Sequence, residues 1–171
     1  GPDRAIATYR KTALDQGVFF DSLSMHLDQV IDDPHEISQA IILLGDTNPE
    51  TCVADVAKSN ALNVSSVQLI IDDLLHWGIK PVFASSEFVF DGINGNYVET
   101  DPAAPVLLYG RQKVEIENYL QQSCEDYIVV RLAKVYGADQ GDKTIFTNWL
   151  DCARRGETIY CAHDQIFSPV F

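Results

Sequence analysis

The chain has 171 residues, 46% of them hydrophobic, which is enough for one domain with a packed core. A formal net charge of −13 and a pI near 4.4 argue against the phosphate backbone of a nucleic acid as partner and read as solubility. No apolar run reaches membrane-spanning length and no signal-peptide pattern opens the chain, so neither a membrane nor a secreted setting is expected.

Taken in order, Gly1 and Pro2 read as a tag scar, and residues 3–171 as one domain. Residues 5–9 read as a strand running into Arg10 and Lys11, and 17–21 as a second short strand ending at Asp21. Leu27, Val30 and Ile31 suggest a helix broken near Pro34. The run 41–44 is fully apolar, as in strands of parallel sheets. Residues 51–58 and 60–77 make a long helical region, with Leu62, Val67, Ile70, Ile71, Leu74 and Leu75 at helical spacing and Gly78 as its stop. A strand at 81–84 delivers Ser85 and Ser86 at its carboxyl end, where open α/β sheets bind ligands. After a loop rich in Gly, Asn, Asp and Pro, Val114, Ile116 and Leu120 mark a helix that opens with Tyr109. A strand follows at 127–132, then a helix at 145–153 closed by Arg154, Arg155 and Gly156, then a strand at 158–161. Strands alternating with helices in this way predict a parallel, doubly wound α/β sheet. Cys52, Cys124, Cys152 and Cys161 show no C-x-x-C spacing and are expected as reduced thiols of a cytoplasmic protein. The four histidines are scattered, and no metal is expected.

The chemistry concentrates at residues 85–113. Tyr109 and Lys113 lie one helical turn apart on one face. A phenol ionises near pH 10 and shuttles protons poorly at neutrality unless a cation stabilises the phenolate, a role open to Lys113. A Ser86 hydroxyl could hold a carbonyl against the phenol, so that Tyr109 protonates the oxygen as hydride reaches the carbon. Y-x-x-x-K alone occurs by chance in many chains. It is the whole stretch that is specific.

Ser85-Ser86-Glu87-Phe88-Val89-Phe90-Asp91-Gly92, then Tyr97-Val98-Glu99, Pro105, Tyr109-Gly110-Arg111-Gln112-Lys113 and Glu117, resemble the extended short-chain dehydrogenase/reductases. Within them the sequence is similar to the dTDP-4-dehydrorhamnose reductase-like branch, with its S-T-D-Y-V-F-D-G and Y-G-x-S-K-x-x-x-E patterns. The resemblance implies a Rossmann-like NAD(P)-binding fold. It makes Ser86 the catalytic hydroxyl, Tyr109 the acid/base, and Lys113 the residue that tunes it and holds the nicotinamide ribose. Glu87 stands where the branch has Asp, and Gln112 where it has Ser, both beside the substrate. By the same resemblance Glu87 and Phe88 contact substrate. Gln165 and Ser168 belong to a D-Q-x-x-S-P-T substrate loop in which Val170 replaces the Thr. Asn60 matches an active-site helix asparagine, though a polar kink would look the same. Asp21 matches an adenine-contacting aspartate, or a helix N-cap. Arg131 either meets substrate phosphate or pairs with an acidic neighbour.

A dinucleotide fold needs a glycine-rich turn after its first strand, and this sequence has none, so the first β-α unit is expected to be lacking and an apolar sheet edge to self-associate. Three classes stay open. The first is a reductase of a nucleotide-linked 4-keto sugar. The second is a non-catalytic or regulatory member, as in the regulatory subunit of methionine adenosyltransferase. The third is a nucleotide-sugar epimerase or dehydratase. The cofactor is expected to be NADP rather than NAD: no acidic side chain follows the strand at 5–9 until Asp15, and Arg10, aided by Lys11, suits a 2′-phosphate.

Overall fold

The computed structural model describes residues 5–135 and 144–161. Its centre is a parallel three-stranded sheet in the order β3-β4-β5: β3 (Gln39–Ile42), β4 (Lys80–Ser86) and β5 (Ile128–Leu132). A parallel pair, β1 (Thr8–Tyr9) and β2 (Val18–Phe19), forms a second sheet. Parallel strands joined through helices are what the alternating pattern predicts.

Five helices are described: α1 (Pro49–Ala54), α2 (Val56–Asn60), α3 (Ser66–His76), α4 (Leu108–Ser123) and α5 (Ile145–Arg155). The long helical region expected at 51–58 and 60–77 is interrupted at two other places. Asp55 leaves helical geometry and caps α2, its carboxylate accepting the Lys58 amide, so α1 must end there. Between α2 and α3, residues 61–65 form a π-turn, a feature that inserts one extra residue and is frequent at functional sites. Thr144 caps α5 and Gly156, at φ 68°, ends it in the left-handed conformation that favours glycine.

Two other expectations change. Residues 27–31 and the segment at Pro34 are short 3₁₀ turns (Leu27–Gln29 and Pro34–Glu36) rather than a broken helix, since Asp33 and Pro34 start a new turn at once. Residues 158–161 pair with no strand. Gln165, Ser168 and Val170 lie outside the described residues. No described helix is long and apolar enough to cross a membrane.

The core lies on one face of the sheet. Ile42, Phe83 and Val129 are in register across β3, β4 and β5 and meet Val67, Ile70, Ile71 and Leu74 of α3 and Ile116 and Leu120 of α4. The opposite face is bare: Ile41 is 69% exposed and Leu43 71%, with Ile128, Val130 and Leu132 exposed beside them. The apolar run 41–44 is therefore buried on alternate residues only.

Helix α4 approaches the turn after β4 more closely than side chains allow. A Cβ on Gly110 would lie 2.1 Å from the Phe88 carbonyl oxygen and 3.0 Å from Pro105 Cβ. On an open helix, replacing glycine by alanine stabilises by about 1 kcal/mol. Here the backbone oxygen cannot yield, so Gly110→Ala is expected to destabilise by about 2–4 kcal/mol. A urea midpoint that rises in this variant would refute the close approach.

Candidate functional site

Strand β4 ends in two buried hydroxyls. Ser86 Oγ accepts the Phe88 amide at 3.3 Å, capping the turn Glu87–Val89, and donates to Glu87 Oε2 at 3.0 Å. Ser85 is on the other side of the strand and donates to Glu117 Oε1 at 2.5 Å. The turn brings Phe88 edge-on to the Tyr109 ring, with centroids 5.9 Å apart.

Tyr109 is only 5% exposed, and its phenol faces the Ser86 hydroxyl closely enough for Ser86 to lower its pKa. Its pKa is pushed up to about 12, because burial outweighs the Ser86 hydrogen bond and the Glu87 carboxylate adds to burial. Lys113 is 6% exposed; its Nζ donates to the Ala84 carbonyl at 2.8 Å and lies 4.5 Å from the Phe83 ring centroid and 5.6 Å from that of Tyr109. Burial brings its pKa down to about 8, with Glu117 opposing the fall. Ser86, Tyr109 and Lys113 thus meet at the carboxyl end of β4. The expected tuning runs differently in the chain by itself: burial dominates the phenol, and the lysine ammonium is held on a carbonyl instead.

The residues expected on the adenosine side also meet. Arg10 follows β1 and Asp21 follows β2, and because these strands are parallel both emerge at one end, where Arg10 Nε lies 3.0 Å from Asp21 Oδ1. Asp21 accepts the Leu23 amide as well, so its carboxylate shapes the turn. Lys11 is exposed next to them.

Asn60 is exposed and accepts one bond from Gln112 Nε2 at 2.7 Å. The asparagine in the interior is Asn63, which the sequence reading passed over. Its Oδ1 accepts the Asp46 amide at 2.7 Å, and its Nδ2 donates to Asp46 O at 2.9 Å and Gln112 Oε1 at 2.8 Å. The signal was its spacing, four residues from both Ser59 and Val67, each buried. Gln112 faces this cluster and not the space above Ser86, which corrects its expected place beside substrate. The long amide reaches α2 and the π-turn across a distance that serine could not span.

Arg131 is engaged by Glu117 in a two-pronged pair, Nε to Oε1 at 3.1 Å and Nη2 to Oε2 at 2.7 Å. It also donates to the Glu99 carbonyl and covers the Phe90 ring at 5.0 Å. Of its two expected roles, the geometry is that of pairing with an acidic neighbour.

A family model for the RmlD substrate binding domain matches residues 38–171, the greater part of the chain. Among curated proteins, the "Probable low-salt glycan biosynthesis reductase Agl14" of Haloferax volcanii is 28% identical over 144 residues, covering 80% of this chain and 47% of its own. The dTDP-4-dehydrorhamnose reductase of Escherichia coli is 32% identical over 110 residues, 63% of this chain and 36% of its own. The chain thus spans less than half the length of these relatives. Among solved structures, MoeE5 in complex with UDP-glucuronic acid and NAD superimposes with a TM-score of 0.80 at 22% identity, over 96% of this chain and 58% of that one. That likeness gives the fold, a Rossmann-like parallel sheet. The ordered motifs from Ser85 to Lys113 agree with the family match, and the chain belongs to the RmlD substrate binding domain family.

Proposed function

We propose that this chain carries the catalytic groups of an NADPH-dependent reductase acting on the 4-keto group of a nucleotide-linked sugar. The observation that carries the reading is the meeting of Ser86, Tyr109 and Lys113 at the end of β4. Both curated relatives are named as reductases, which supports the class.

A substrate carbonyl seated against Ser86 and Tyr109 receives two hydroxyl groups. The phenol, protonated at neutral pH because burial and Glu87 disfavour its anion, donates its proton to the oxygen as negative charge develops there. Lys113, charged below pH 8, stabilises the phenolate left behind. Glu87 accepts the single Ser86 hydrogen in the free site, and that hydrogen turns to the carbonyl when substrate binds; Glu87 and Phe88 border the substrate, and the Gln165 and Ser168 loop is assigned to it by resemblance alone. A bound reduced nicotinamide supplies the electron pair at the carbonyl carbon. Tyr109 and Lys113 face its ribose in this proposal, with Asn60 nearby, while Asp21 and Arg10, joined at the ends of β1 and β2, receive the adenosine end. The bare face of β3 and β5 supports self-association.

In the intact protein, Tyr109→Phe is expected to lower kcat by about 10³-fold or more, with folding preserved. The wild-type kcat/KM for reduction falls as pH rises through about 8, where Lys113 loses its proton. Full turnover by Tyr109→Phe, or an acid-limb optimum with no loss above pH 8, would remove the assigned roles.

Holding Lys113 inside the fold has a thermodynamic consequence. Its folded pKa of about 8 lies below the 10.5 of a free lysine, so below pH 8 both states are charged and the folded one carries a penalty on the order of 3 kcal/mol. Between pH 8 and 10.5 the unfolded chain binds more proton, and this contribution makes stability rise with pH. Above pH 10 the raised pKa of Tyr109 opposes it. Lys113→Met keeps the volume and leaves Ala84 O without this donor, so a net gain of about 1 kcal/mol is expected at pH 7. Thermal midpoints across pH 7–10 check it: a lower midpoint at pH 7 means that the ammonium is stabilised where it lies.

Cofactor choice rests on Arg10. Nicotinamide fluorescence titrations are expected to favour NADPH over NADH by about tenfold or more, a ratio that falls towards one in Arg10→Ala. Equal affinities in the wild type, or a ratio untouched by the substitution, would assign the 2′-phosphate elsewhere.

A further inference from the structure

We propose that Gln112 is a positioning residue that sets the rotation of α4 about its axis and thereby aims Tyr109 and Lys113; the inference deepens the reductase reading and rests on it. Gln112 lies between these two residues on α4 and is 2% exposed. Both ends of its amide are used: Nε2 donates to Ser59 Oγ at 3.0 Å and Asn60 Oδ1 at 2.7 Å, and Oε1 accepts Asn63 Nδ2 at 2.8 Å. The three partners sit where α2 passes into the π-turn, so the extra residue of that turn is what gathers them around one amide.

The contact continues to the sheet. Asn63 spends its remaining amide groups on both backbone atoms of Asp46, just past β3, where Gly45 at φ 148° brings the chain close enough that a Cβ would meet Asn63 Oδ1 at 3.1 Å. Gln112 therefore links α4 through Asn63 to the end of β3, while Gly110 and Lys113 link it to the turn after β4 and to Ala84. Two attachments on different sides of a helix define its rotation as well as its distance. Without Gln112, the attachments left on the first turns of α4, Gly110 against Phe88 and Lys113 on the Ala84 carbonyl, both lie towards β4. Buried amide donors and acceptors also resist any turn that leaves them without partners. A serine at residue 112, as the related pattern has, is too short for this link, so the device belongs to this sequence.

The test uses the intact protein and Gln112→Met, which keeps side-chain length and removes both amide ends; Gln112→Ser replaces it should the methionine variant not fold by thermal unfolding. In reduction of a nucleotide-linked 4-keto sugar by NADPH, kcat is expected to fall about tenfold or more with both KM values within about threefold, as for misaimed groups and intact binding. Independently of activity, the Lys113 titration, followed by NMR of labelled lysine and assigned with Lys113→Met, is expected to move up from about 8 by about half a pH unit or more as the ammonium gains water. A variant that melts earlier yet keeps its kcat or its Lys113 titration makes Gln112 a filler of the core and overturns the proposal. If the wild type reduces no such sugar, the proposed function has failed, and the lysine titration decides for Gln112 alone: moved supports the proposal, unmoved overturns it.

Discussion

The Phe88 carbonyl occupies the volume that a side chain on residue 110 would need, and the site depends on that contact. Because Gly110 offers only hydrogen, α4 lies against the turn that β4 makes at Ser86. Tyr109, one residue earlier, is then pressed onto the Phe88 ring and its phenol comes to Ser86; Lys113, one turn later, reaches the Ala84 carbonyl. A helix displaced by about 1 Å would still be a helix with a tyrosine and a lysine on one face, but such a shift can cost about 10² in rate. The glycine therefore acts on geometry rather than on helix propensity, which it lowers.

Burial is the second determinant, and it acts on the two ionisable groups in opposite senses. It raises the phenol and lowers the ammonium, so that at neutral pH the first is a proton donor and the second is charged but close to losing its proton. Glu117 moderates the lysine from one turn away, yet it is itself held by Arg131 and Ser85. That pair carries the Glu99 carbonyl and the Phe90 ring with it, and so ties the loop after β4 to β5. Every buried side-chain polar atom among the described residues has a partner. Removing a neutral member leaves a partner with its desolvation cost uncompensated by any bond; Lys113 differs, because its own buried charge is penalised more than the Ala84 carbonyl that it would leave.

What could be read from the sequence was what depends on short-range pattern. The strand into Ser85 and Ser86, the Tyr109 helix and the alternation that makes a parallel sheet all follow from runs of apolar residues and their spacing. The interruptions at Asp55 and in the π-turn did not, since Asp55 looks like a surface residue until its carboxylate is seen closing on the Lys58 amide, and an extra residue in a helix leaves the apolar spacing nearly intact. Asn60 was assigned by resemblance alone, whereas the helical spacing of four residues from Ser59 and from Val67 points to Asn63 as the inward amide. The roles of Gln112 and Arg131 were illegible for a different reason: each depends on a partner far away in sequence, Asn63 and Ser59 for one, Glu117 and Glu99 for the other.

The two halves of the site differ in how much of the molecule they need. Ser86, Tyr109 and Lys113 come from one continuous stretch, β4, its turn and the start of α4. Their arrangement is local and survives whatever lies over Ile41, Leu43 and Val130 on the bare face of the sheet. The proposed adenosine end is not local in this sense. Arg10 and Asp21 hang on two strands of two residues each, paired with one another and not with β3, β4 or β5. Strands that short gain little from their own ladder, so the separation between Arg10 and Tyr109 is fixed only as well as Phe20 and Leu27 anchor that unit in the core. Parallel sheets carry apolar residues on both faces because both are covered, and β3 and β5 have that composition. A layer over Ile41 and Val130 would therefore complete β3 and β5, while Arg10 and Asp21, on strands outside that sheet, would still depend on Phe20 and Leu27.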